Sequence, residues 1–115
     1  KQRGGGKIIT VGSGMGHKGR AGGSAYCCSK AALWMMTRVL AQELAPHNIS
    51  VNELIPGPVI TEMTADTFGK GKVHPGMESE WVKHAEDVAP LALFLATLPD
   101  GGPSAQSYSL MRRDT

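Results

Sequence analysis

Residues 12–30 read GSGMGHKGRAGGSAYCCSK, and two chemistries compete for them. Gly14, Gly16 and Gly19 fit the G-x-G-x-x-G spacing with which a strand-to-helix turn cradles a pyrophosphate. Ser13, Tyr26 and Lys30 are instead residues that hold and move protons. The phosphate reading needs a tight crossover into a helix, and an acidic residue about twenty positions on at the end of the next strand. Neither is found. Arg20-Ala21-Gly22-Gly23 separates Gly19 from the helical pattern, residue 40 is Leu, and Glu43 belongs to that same helix. The proton-chemistry reading rests on spacing. Tyr26 and Lys30 are four apart, so on a helix they share a face. A tyrosine is a poor base near neutral pH, and a cation about 4–6 Å away favours its phenolate. Ser13 follows a strand end, the place where parallel sheets gather ligand groups.

Working outward, Lys7-Ile8-Ile9-Thr10-Val11 is a β-branched run bounded by glycines and predicts a buried strand. A glycine-rich loop is expected to about Gly23. Ser24 is the expected N-cap of a helix over 25–44, closed by Pro46. Cys28, Ala32, Met35, Met36 and Val39 lie at helical spacing and predict its packed face. A second strand is expected over 49–55, ended by Pro56-Gly57-Pro58. Residues 61–81 carry no period and read as a loop or short helices. Residues 84–98 read as a helix with Val88, Leu91, Leu95 and Leu98 inward and Pro90 in its first turn. A turn over 99–103 leads to a third short strand over 105–110. Strands alternating with helices predict an α/β fold, with parallel strands and helices on both faces. Three such strands are few, so the chain reads as part of a larger doubly wound sheet.

The bulk composition excludes other classes. The chain has 115 residues, 41% apolar and 19% charged, a globular balance. A net charge of +2 with both signs interspersed lacks the clustered basic face of a nucleic-acid binder. No apolar run reaches the roughly 18 residues of a membrane-spanning helix. Lys1-Gln2-Arg3 running into glycines does not have the form of a signal peptide, and without Met the start reads as a cut. Cys27 and Cys28 are adjacent, their Cα atoms about 3.8 Å apart, too close for an ordinary disulfide. Reduced thiols and a cytoplasmic setting are expected. His17, His47, His74 and His84 show no ligand spacing, so no metal site is expected.

Several stretches together resemble the short-chain dehydrogenase/reductase family. IITVGSGMG is similar to its strand ending in a serine, and YCCSK to its Y-x-x-[SAC]-K motif, with Ser13 thirteen residues before Tyr26. AALWMMTRVLAQELAPHNISVN resembles the helix and strand that follow, IPGPVITEM the P-G-x-V-x-T segment, and EDVAPLALFLAT the later helix. The likeness covers about residues 5–110. It implies a Rossmann-type doubly wound sheet, of which residues 1–115 form the C-terminal part, and hydride transfer between NAD or NADP and a carbonyl or alcohol substrate. It makes Tyr26 the general acid/base. Lys30 would hold the nicotinamide ribose and favour the Tyr26 phenolate, and Ser13 would orient the substrate oxygen. Pro56, Gly57, Val59 and Thr61 would border the nicotinamide, and residues 62–81 would form the substrate loop. It also implies a homodimer or homotetramer, with Trp34 at the interface or packed within the chain. The family's glycine-rich cofactor turn and its N-N-A-G segment do not occur in this chain. The chain alone is therefore expected not to hold a dinucleotide with normal affinity. The alternative is a truncated, non-catalytic remnant acting only in folding or assembly.

Overall fold

The computed structural model describes residues 4–59 and 83–111. Three parallel strands lie in the order β1 (Gly6–Val11), β2 (Ile49–Ile55) and β3 (Ser107–Ser109). Between them run α1 (Met15–Lys18), α2 (Ser24–Leu44) and α3 (Ala85–Ala96). The expected α/β arrangement is present.

Central β2 is buried on both faces, with Val51, Leu54 and Ile55 at most 2% exposed. That is why ISVNELI carries apolar side chains in both phases of the strand pleat. Its register aligns Gly6 with Ile49 through Val11 with Leu54 on one side, and Glu53 with Ser107 on the other. Thr10, Glu53 and Ser107 thus form one row across the sheet. That row faces α2, because the Thr10 hydroxyl lies 2.8 Å from the Thr37 hydroxyl. The opposite face belongs to α3. Phe94 meets the Tyr108 ring edge-on at 6.4 Å, and Lys7 pairs with Asp100, beyond the helix, at 3.1 Å. The hydrogen bond and charge of Lys7 hold the Asp100 carboxyl below its ordinary value.

The expected packed face of α2 is reversed. Cys28, Ala32, Met35, Met36 and Val39 are exposed, while Cys27, Thr37 and Ala41 are buried. The helix carries apolar residues around much of its circumference, so period alone does not choose the inner stripe. Thr37 is tolerated inside because its hydroxyl also donates to the Leu33 carbonyl at 2.8 Å. Ser24 is the first helical residue and not the cap; Gly23 takes that place without a side-chain bond. The helix ends at Leu44, and Pro46 lies in the 3₁₀ turn Ala45–His47 that follows. Asn48, left-handed at φ 58°, turns the chain into β2.

Helix α3 begins when the Asp87 carboxylate accepts the His84 amide at 2.9 Å. Leu95 is buried and Val88, Leu91 and Leu98 are half-buried, so the expected inner face is the observed one. Pro90 sits in the second turn, not the first, and removes the bond its amide would have made to Glu86. The glycine loop after β1 holds a short helix, α1, that its composition did not suggest, and β3 is three residues long where six were expected.

Candidate active site

The carboxyl ends of β1 and β2 open into Gly12-Ser13-Gly14 and Pro56-Gly57-Pro58. The Gly12 amide donates to the Leu54 carbonyl at 2.9 Å and carries the ladder one residue past β1. Ser13 then starts α1: its side-chain oxygen accepts the Met15 amide at 3.2 Å, and its carbonyl accepts the Gly16 amide at 3.0 Å. The Met15 amide occupies one lone pair and leaves the hydroxyl proton of Ser13 for another acceptor.

Helix α1 lies directly on α2. A Cβ at Gly16 would stand 2.7–2.9 Å from backbone atoms of Lys30 and Ala31, so only glycine permits this approach. The crossing sets Gly16, three residues after Ser13, against the backbone of Lys30. The Lys30 Nζ is 5.7 Å from the Tyr26 ring centroid and 3.5 Å from the Val11 carbonyl oxygen, a long hydrogen bond. Tyr26 is 48% exposed and open to an incoming ligand. One turn of α2 thus joins Tyr26 and Lys30 to the end of β1, two residues before Ser13.

On the β2 side, Gly57 has φ 71°, a conformation glycine adopts without strain. Lys83 is buried beneath it, its Nζ 3.0 Å from where a Gly57 Cβ would stand. Pro56 and Val59 line a shallow apolar groove with Ala85, Val88 and Ala89 at the start of α3. Thr61 and the expected substrate loop over 62–81 lie outside the described residues.

Sequence reasoning passed over a buried polar group beside these residues. Glu53 is fully buried and its Oε1 lies 2.7 Å from His17 Nε2 and 2.8 Å from the Ser107 hydroxyl. The His17 ring packs against Trp34, tilted by 42° with centroids 4.9 Å apart, which gives Trp34 a partner inside the chain. The visible signal was a glutamate between Asn52 and Leu54 inside the strand expected over 49–55. Among the described residues no three His, Cys, Asp or Glu side chains gather as a metal site would require. No helix among them is long and apolar enough to cross a membrane.

The short chain dehydrogenase family model matches residues 1–71. The chain belongs to the short-chain dehydrogenase family. A short-chain type dehydrogenase/reductase of Picea abies is 43% identical over 97 residues, which are 82% of this chain and 36% of that protein. Carbonyl reductase family member 4 of Danio rerio is 42% identical over 95 residues, 83% of this chain and 40% of that protein. The crystal structure of acetoin dehydrogenase from Enterobacter cloacae superposes with a TM-score of 0.76 at 30% identity, covering 94% of this chain and 43% of that one. This short-chain dehydrogenase chain therefore spans about two fifths of the proteins it matches. The family model's match runs through both loops at the carboxyl ends of β1 and β2.

Proposed function

We propose that this chain supplies the catalytic part of an NAD(P)-dependent oxidoreductase that interconverts a carbonyl and an alcohol, with residues 1–115 the C-terminal part of one Rossmann-type domain. The observation that carries it is the Lys30 ammonium 5.7 Å from the Tyr26 ring centroid and within reach of the Val11 carbonyl, where the Ser13 loop begins.

The nicotinamide, when bound, supplies or accepts the hydride. In the reducing direction Tyr26 Oη donates its proton to the substrate oxygen, and the Ser13 hydroxyl donates a hydrogen bond to that same oxygen. The Lys30 ammonium stabilises the negative charge left on the Tyr26 oxygen and offers its remaining N–H groups to ribose hydroxyls. Exposure of Tyr26 lets solvent return the proton. Pro56, Gly57 and Val59 form the wall against the nicotinamide, and Thr61 is assigned to its carboxamide or phosphates. The exposed Met35, Met36 and Val39 stripe on α2 supports self-association of the protein that carries this chain.

The test is NAD(P)H oxidation by that protein against a panel of ketones and aldehydes, for the natural sequence and Tyr26→Phe. The phenylalanine variant is expected to lose kcat by about 100-fold or more while cofactor affinity is kept. A Tyr26→Phe variant with full kcat would sink the proposal.

A further inference from the structure

Glu53 stands where packing alone would favour an aliphatic side chain. It is the fifth residue of β2, fully buried, between Thr10 of β1 and Ser107 of β3. Its Oε1 accepts hydrogen bonds from His17 Nε2 at 2.7 Å and from the Ser107 hydroxyl at 2.8 Å. Its Oε2 is buried with no hydrogen-bond partner among the described residues. It lies against Gly12, where a Cβ would collide with the carboxylate. A buried carboxyl group with one oxygen unmatched costs stability that an apolar residue of similar size would not.

The atoms around it say what that cost secures. Four residues of helix have almost no stability of their own. α1 keeps its place through the Gly16 contact with α2 and through His17, which is held between the Glu53 carboxylate and the Trp34 ring. The backbone of α1 begins at the Ser13 side-chain oxygen and carbonyl. Any shift of His17 therefore moves Ser13 relative to Lys30 and Tyr26. Gly12, immediately before Ser13, rests on the same carboxylate.

We propose that Glu53 and His17 are a positioning pair that fixes the Ser13 loop against the Tyr26–Lys30 face, with Ser107 orienting the carboxylate from β3. The proposal rests on the oxidoreductase reading of Ser13, Tyr26 and Lys30. Neither member touches substrate; both act through α1.

The experiment compares Glu53→Met, which keeps the side-chain length but has no oxygen to accept these bonds, and His17→Phe, a half-buried position that keeps a ring against Trp34 and removes the same bond if the first variant folds poorly. Two quantities are read in the protein that carries this chain: amide hydrogen exchange at residues 16–19, and kcat with KM. Each variant is expected to speed exchange in α1 by about tenfold while β2 and the middle of α2 keep theirs. Each is expected to lower kcat roughly 10-fold to 100-fold with KM within about twofold, because displacement of a reacting group by about 1 Å has that effect. The double variant is expected to be no worse than the poorer single one. Unchanged exchange in α1 overturns the proposal, as does unchanged kcat beside an inactive Tyr26→Phe variant. A lower melting temperature with unchanged kcat also overturns it, since that is a structural role only. An active Tyr26→Phe variant overturns the underlying site reading instead, and the exchange data then decide by themselves whether the pair holds the loop.

Discussion

Asn52 and Glu53 are consecutive, polar and buried, yet they serve opposite faces of the sheet under different terms. On the α3 face Asn52 is closed off: its Nδ2 donates to the Pro103 carbonyl at 3.0 Å and its Oδ1 accepts the Gln106 amide at 3.1 Å. Together with the Ser104 hydroxyl, which accepts the Val51 amide at 3.0 Å, it pins the approach to β3. On the α2 face Glu53 is only half matched and lies under the loop that carries Ser13. A buried polar residue with both ends bonded fastens two segments together. One left partly unmatched next to a loop of chemically active side chains marks a place where stability has given way to position.

Substitutions on the two faces should therefore differ in kind. The largest effect is expected above the α2 face. Ser13→Ala should lower kcat about 100-fold, the loss of one hydrogen-bond donor to a developing charge, with the melting temperature moved by only about 2 °C. A full kcat there would erase the functional half of the contrast. On the α3 face Asn52→Leu should cost about 2 kcal/mol of stability by leaving the Pro103 carbonyl and Gln106 amide without their partner. Chemical denaturation would read it, and kcat of the folded fraction should hold. Gly16→Ala tests whether the α1–α2 crossing belongs with the site. It should cost about 1–2 kcal/mol through forced displacement from Lys30, and lower activity with it.

The smallest effect is electrostatic and far from the site. Lys7 lowers the Asp100 carboxyl, so the pair stabilises the fold above the ordinary carboxylate value of 3.8 and loses that contribution as pH falls through the lowered one. Asp100 is exposed, so the acid limb of a melting curve for Asp100→Asn should differ from the natural sequence only slightly, and kcat near neutral pH not at all.

How much of this was legible beforehand depends on the range of the interaction. The strands over 7–11 and 49–55 could be read from β-branched and apolar runs ended by glycine and proline, although β1, expected to be buried, leaves Ile8 and Val11 exposed at the sheet edge; the inner face Val88, Leu91, Leu95 and Leu98 could be read because burial on a helix leaves a local period. The inner stripe of α2 could not, since Met35, Met36 and Val39 have the same period as the residues that face the sheet. α1 was hidden because MGHK has weak helical propensity, and its placement depends on Glu53, thirty-six residues beyond His17.

By itself the sequence determined that a β-branched strand ends in a glycine–serine loop, that Tyr26 and Lys30 share one helical turn, and that Pro56-Gly57-Pro58 closes the next strand. These are consequences of neighbours along the chain, set by backbone stereochemistry and residue spacing. Only the tertiary structure decided which side of α2 is inward, that Lys30 reaches the end of β1, and that His17 finds Glu53. Those pairings join residues many positions apart, and their energies exist only once the sheet has brought the two ends together.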